Sequence, residues 1–167
     1  MTLLEIGNRF IHRGFWLLLF GFLMSFGMVL HYVANISPPI GGDFMRTILL
    51  WYACPWTLST AVVLGGALGM IAIGTVYAVL GKMVPGTRVE GTETTAVTLC
   101  TFALIAMFLT GYVGYYPVNW VWPNFYYHAI KDGKNVWLLM QLACMVVYAI
   151  GVFLAFNGIR RNSHAMV

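Results

Sequence analysis

Residues Thr47–Gly81, TILLWYACPWTLSTAVVLGGALGMIAIGTVYAVLG, run for 35 positions without an Asp, Glu, Lys or Arg. A helix needs roughly 20 apolar residues to cross the hydrocarbon of a bilayer. Three further charge-free stretches flank this one: Gly14–Gly42, Thr94–Ile130 and Asn135–Ile159, of 29, 37 and 25 residues. Each is long enough for one crossing and too short for two with a turn. The pattern predicts an all-α fold, an integral membrane four-helix bundle forming a single four-span domain over residues 1–167. The spans are expected at about 15–33, 58–80, 96–118 and 136–156, with an interfacial helix at about 43–53.

Composition agrees. The chain is 60% apolar and 8% charged with a mean hydropathy of +0.82, against about 25% charged in soluble domains. The net charge of +4 comes from basic residues that form no patch or run, which argues against a nucleic-acid partner. They follow topology instead. Arg9 and Arg13 precede the first span, Lys82 and Arg88 follow the second, and Arg160 and Arg161 follow the fourth. The other side carries Arg46, Lys131 and Lys134. The positive-inside bias places both termini in the cytoplasm and the protein in the cytoplasmic (inner) membrane as a multi-pass protein. The N-terminal apolar run is long and lacks a small-x-small site, as in an uncleaved first span. Cys54, Cys100 and Cys144 show no metal spacing and read as small apolar residues.

Residues 1–13 read as a short amphipathic lead-in. Pro38-Pro39 and Gly41-Gly42 end the first span in a turn. Lys82–Glu93, with Pro85-Gly86, forms the inner connection. Thr87 and Glu90 have capping-box spacing, and Glu93 suits the positive dipole at the start of the third span. No internal repeat is visible, which disfavours an inverted-repeat transporter core.

The second span carries small residues at helical spacing: Gly65, Gly69 and Ala72 on one stripe, Ala67, Gly74, Ala78 and Gly81 on another. Such stripes let helix backbones approach when lipid is as apolar as leucine. They serve either packing inside one bundle or contact with another subunit. Gly21 and Ser25, and Ala103, Thr110 and Gly114, can supply partner faces.

Ionisable groups inside a span are the usual pointer to function in a membrane protein. Between the expected span limits there is no Asp, Glu, Lys or Arg, which argues against a proton pump, a charge-coupled transporter core or a voltage sensor. The candidates that remain gather at the outer side. His31, Asp43, Tyr112, Tyr116, Asn119, Trp120, Trp122 and His128 could form an aromatic belt at the headgroups, or a cap over a flat apolar ligand. His31 and His128 lack the local spacing of a metal site, and no metal is expected. Thr94, Thr98 and Thr101 share a face of the third span, where hydroxyls can bond the carbonyl one turn back. Gln141 in the fourth span has no such local solution, so it is expected to line the bundle.

In length and span spacing the whole chain resembles styrene oxide isomerases. The likeness is best in Gly14–Gly27 and in Thr110-Gly-Tyr-Val-Gly-Tyr-Tyr116 with Pro123-Asn124. It implies a four-span membrane enzyme converting an aryl epoxide to an aldehyde, with haem held by a histidine of the second span; Trp51–Gly81 contains none. A shorter stretch, Val29-Leu-His-Tyr-Val-Ala-Asn-Ile-Ser37 followed by Asp43, Arg46 and Leu49-Leu-Trp51, resembles small membrane subunits of TRAP-type transporters. That likeness implies a part in a tripartite transporter.

Three functions follow as expectations. The first is a small membrane subunit of a larger redox or transport assembly, packed through Gly65, Gly69, Ala72 and Gly74. Its aromatic outer loop would dock a partner or cover an apolar cofactor of unknown identity. Its partners would be the lipid bilayer and other membrane subunits, as a homo- or hetero-oligomer. The second is a membrane enzyme using His31, Tyr112, Tyr116, Asn119 and Gln141 on a small hydrophobic substrate. The third is the transporter subunit.

Overall fold

The computed structural model describes the backbone of residues 1–36, 55–115 and 136–164, and the side chains of 1–23, 60–110 and 139–164. Four helices account for nearly all of it: α1 (Leu3–Ile36), α2 (Pro55–Met83), α3 (Gly91–Tyr115) and α4 (Val136–His164). The all-α class read from the charge-free stretches is the observed one. Three helices contain, within their described residues, a stretch long and apolar enough to cross a membrane: Thr60–Met83, Gly91–Thr110 and Leu139–His164. The interfacial helix expected at about 43–53 lies outside the described residues.

The helices run longer than the spans, and their inner ends explain why. Residues 1–13 are not a separate lead-in: α1 begins at Leu3 and continues unbroken to Ile36. Thr2 and Glu5 form a reciprocal capping box. The Thr2 N–H donates to Glu5 Oε2 at 2.9 Å and the Glu5 N–H to Thr2 Oγ1 at 3.3 Å, which satisfies two donors at the helix start. The first turns are then buried, with Leu3, Ile6 and Phe10 at 0–1% exposure. Phe10 stacks on Tyr77 of α2 with ring centroids 5.9 Å apart and planes 5° apart. The segment is amphipathic, with Leu4, Glu5, Asn8 and Arg9 exposed opposite this buried face, and the burial ties it to the bundle.

The α2–α3 connection turns at Val84-Pro85-Gly86-Thr87. Proline presets one central residue of the turn, and Gly86 takes φ 85°, a conformation that costs glycine little. The capping box expected at Thr87 and Glu90 does not form. Thr87 Oγ1 donates to the Val84 carbonyl at 3.1 Å, its carbonyl accepts from the Leu3 N–H at 3.2 Å, and α3 starts at Gly91. The Thr87 hydroxyl is turned back to Val84, and the Glu90 carboxylate is taken by Arg161 of α4. The Val89 N–H completes the tie to the Met1 carbonyl at 2.9 Å. The N-terminus, residues 84–90 and the end of α4 share one end of the bundle, called the inner end below after the expected topology.

Two antiparallel pairs, α1–α2 and α3–α4, pack most extensively; α2 and α3 form the short diagonal, and α1 and α4 sit at the far corners. The α1–α2 seam is set by small residues seven apart on each helix: Gly7 lies against Gly74 and Ala78, Gly14 against Ala67, and Gly81 against the backbone of Leu3 and Leu4, while Gly21 packs on the side chains of Val63 and Leu64. A seven-residue repeat keeps a seam in register along a left-handed helix pair. The approach leaves no room for side chains. A Cβ on Gly7 would lie 2.6 Å from the Ala78 nitrogen, and one on Gly74 would lie 2.7 Å from the Gly7 carbonyl oxygen. At the α3–α4 seam, a Cβ on Gly151 would lie 3.1 Å from the Cys100 nitrogen.

Candidate functional site

Sequence spacing concealed a charged cluster at the inner end. Glu93, in the first turn of α3, is fully buried. Its Oε1 accepts from Arg161 Nη2 and from Asn162 Nδ2, the latter at 3.4 Å, while Arg161 Nη1 donates to Glu90 Oε2. Glu93 Oε2 is buried without a hydrogen-bond partner among the described residues. Beneath the cluster, the Tyr77 hydroxyl donates to the Ala155 carbonyl at 2.7 Å. Gly158 makes the arrangement possible: a Cβ there would collide with Tyr77 Oη and come within 2.9 Å of Glu93 Oε1. Glu93 was expected only to complement the helix dipole. Instead it clamps α3 to α4 across 68 residues of sequence, too far apart for any local pattern to reveal. Its chemistry is that of a structural ion pair, because a paired, enclosed carboxylate is closed to substrate.

The two stripes of α2 have separate fates. Gly74 and Gly81 are filled by α1, as above. Gly65 packs against nothing among the described residues, since a Cβ built there meets none of their atoms within 4 Å. Ala72 is exposed, and Gly69 is approached only by the Tyr148 hydroxyl, 2.8 Å from where its Cβ would lie. That hydroxyl donates to the Gly66 carbonyl at 2.7 Å. Beside this stripe an apolar groove of about 320 Å³ opens between α2 and α4, lined by Gly69, Ala72, Val76, Tyr148, Val152 and Phe156 among others.

Toward the outer end, the register at Gly66, Leu104 and Tyr148 brings Thr60, Thr110 and Gln141 to one level, six or seven residues further along each helix. All three are buried, at 3%, 7% and 4% exposure. Thr110 Oγ1 donates back to the Ala106 carbonyl at 2.8 Å, the local solution open to hydroxyls. Thr60 Oγ1 has no hydrogen-bond partner among the described residues. Gln141 thus lies inside the bundle, where a lining residue belongs.

The other expected site residues are not brought together by anything described. His31 and Tyr112 fall on described helical backbone but beyond the described side chains. Asp43, Tyr116, Asn119, Trp120, Trp122 and His128 lie outside the described residues. Among the described residues no group of three or more His, Cys, Asp or Glu could hold a metal.

Comparisons with protein-family models, with curated proteins and with solved structures each return no match.

Proposed function

We propose that this protein is a four-span subunit of a larger membrane assembly, set in the cytoplasmic membrane with both termini inside. It would dock through the α2–α4 face. The observation that carries this reading is the open stripe of Gly65, Gly69 and Ala72 beside an apolar groove. Lipid-facing positions gain nothing from small residues, whereas contacts between membrane helices depend on them. The groove supplies the matching concavity. The inner end supports the orientation, because Arg9, Lys82, Arg88 and Arg160 all belong to segments gathered there.

Purification in mild detergent without crosslinking tests the proposal. The wild type should elute with a stoichiometric partner or as an oligomer of the 18.6 kDa chain, and Gly65→Leu should elute as a lone protomer. Gly65 is the right probe, because a Cβ added there meets nothing among the described residues. A wild type that runs as a protomer from the start would rule the reading out.

A second reading is a membrane enzyme acting on a small hydrophobic substrate from the outer leaflet. The buried level of Thr60, Thr110 and Gln141 supports it, since an unpartnered hydroxyl beneath the outer end is free to bind a polar substrate atom. A visible absorbance band in the purified protein, together with protomeric elution, would favour it over the subunit.

A further inference from the structure

On the side of the bundle opposite the open stripe, α1 carries Arg9 and Arg13 one turn apart, on one face. The register sets the pair deeper than sequence order suggests. Gly14 lies against Ala67 and Ile71 of α2, and Arg13 Nη1 donates to Thr101 Oγ1 of α3 at 3.4 Å. Ile71 precedes Lys82 by eleven residues and Thr101 follows Glu93 by eight. At 1.5 Å per residue, Arg13 stands about 12–16 Å along the helices from the charged inner end. That level belongs to the apolar stretches Thr60–Met83 and Gly91–Thr110. A basic side chain therefore does enter the spans, contrary to the expectation from charge-free lengths.

Nothing described neutralises the pair. Among the described residues the ion pairs are both made by Arg161. Glu5, one turn before Arg9, accepts from the Thr2 N–H. Like charges four residues apart on a helix repel, so an anion between the two arginines would relieve the repulsion. Arg13 spends one of five N–H donors on Thr101, whose own hydroxyl proton goes to the Val97 carbonyl at 2.7 Å. The remaining donors of Arg13 and all those of Arg9 are free for a ligand. Trp16, 55% exposed, donates its indole N–H to His12 Nε2 at 3.1 Å, and such amphipathic rings suit the headgroup zone. Further outward, the exposed Phe20 and Ile105 continue the same seam as an apolar wall.

We propose that Arg9 and Arg13 hold the phosphate of an anionic phospholipid of the inner leaflet against the α1–α3 seam, with an acyl chain along Phe20 and Ile105. Charge inside a span marks a site whose partner should be named, and basic pockets between helices on the cytoplasmic side suit lipid phosphates. A fork of guanidinium donors fits a phosphate better than a point charge would.

The test uses the full chain in phosphatidylcholine vesicles containing an equal fraction of brominated phosphatidylglycerol or brominated phosphatidylcholine. Trp16 quenching is isolated by subtracting the Trp16→Phe signal. The wild type should enrich the anionic lipid roughly fivefold for each arginine, and Arg9→Gln/Arg13→Gln should bring the ratio to unity. Equal quenching by the two lipids in the wild type overturns the proposal, whether or not the double variant inserts. Arg160→Gln should change nothing, and an equal loss there would reduce the effect to general surface charge. Enrichment abolished by millimolar glycerol phosphate would assign the site to a soluble phosphate ester and overturn the lipid assignment.

Discussion

Helix α2 carries two stripes of the same residue types, and they meet opposite surroundings. Ala67, Gly74 and Gly81 are pressed against the backbone of α1, whereas Gly69 and Ala72 line a groove, and Gly65 a surface, that none of the described residues fills. Composition cannot distinguish them. What differs is the partner: α1 presents Gly7 to Gly74 and Gly14 to Ala67, so two backbones can touch. On the other side α4 presents Tyr148, which reaches one carbonyl and holds the helices apart. A small residue is thus a permission to approach, and its use depends on what stands opposite.

The packed stripe should break hardest. Gly74→Leu forces a side chain into the Gly7 carbonyl oxygen and the Ile11 nitrogen, 2.7 and 2.8 Å from the Cβ position. Backbone on both sides cannot yield, so the loss should be about 3 kcal/mol or more. Thermal unfolding in detergent would read it. A Gly74→Leu protein as stable as the wild type would mean that the α1–α2 seam is wrongly placed.

Next in size is the inner clamp, which fixes α4 to α3 and so keeps the α2–α4 face open. Arg161→Met leaves the enclosed Glu93 carboxylate without its cation. Losing one partner of a buried pair costs about 3–5 kcal/mol; Arg161 is 44% exposed, so water screens part of this and about 2–3 kcal/mol is expected. Adding Glu93→Gln should return part of the loss, because the orphaned charge is gone. A double variant as unstable as the single one would contradict the account.

How far this was legible follows from the same features. Helix number and class among the described residues could be read from charge-free lengths, since the bilayer imposes a length on any apolar helix. The inner limits could not, because Leu3, Ile6 and Phe10 sit among charges and only packing against Tyr77 shows them to be core. One signal was present and unread: Gly7, Gly14 and Gly21 recur at the interval of Ala67, Gly74 and Gly81. Two of those glycines were counted as preceding the span, so the repeat was cut. The Glu93–Arg161 pair and the depth of Arg13 depend on register between helices, which no periodicity within one helix contains. Of the expected site residues, Gln141 is buried, where its amide needs a partner from another helix.

The link between α4 and the open stripe is weaker and should give a smaller effect. Tyr148→Phe removes the bond to the Gly66 carbonyl, worth about 1 kcal/mol. It also clears the space above Gly69, since the lost hydroxyl is the only atom within 4 Å of a Cβ there. Gly69→Ala should therefore be costly in the wild type and nearly neutral in the Tyr148→Phe background. Additive losses in a double-mutant cycle would show that the two residues do not meet.

The smallest effect on stability carries the sharpest test of the comparison. A Cβ at position 65 meets no described atom within 4 Å, and Gly65→Leu replaces the residue with the least favourable helix entropy after proline. The isolated protomer should be unchanged or stabilised by up to about 1 kcal/mol. If the open stripe is where another helix comes close, the same substitution must push that helix away, and assembly should fail while the protomer's unfolding temperature holds or rises. Gly74→Leu should show the reverse, with the protomer failing first. Two leucines on one helix, opposite in which property they destroy, would separate the filled face from the waiting one. Parallel loss of stability in both would mean that the stripes share a single role inside the bundle.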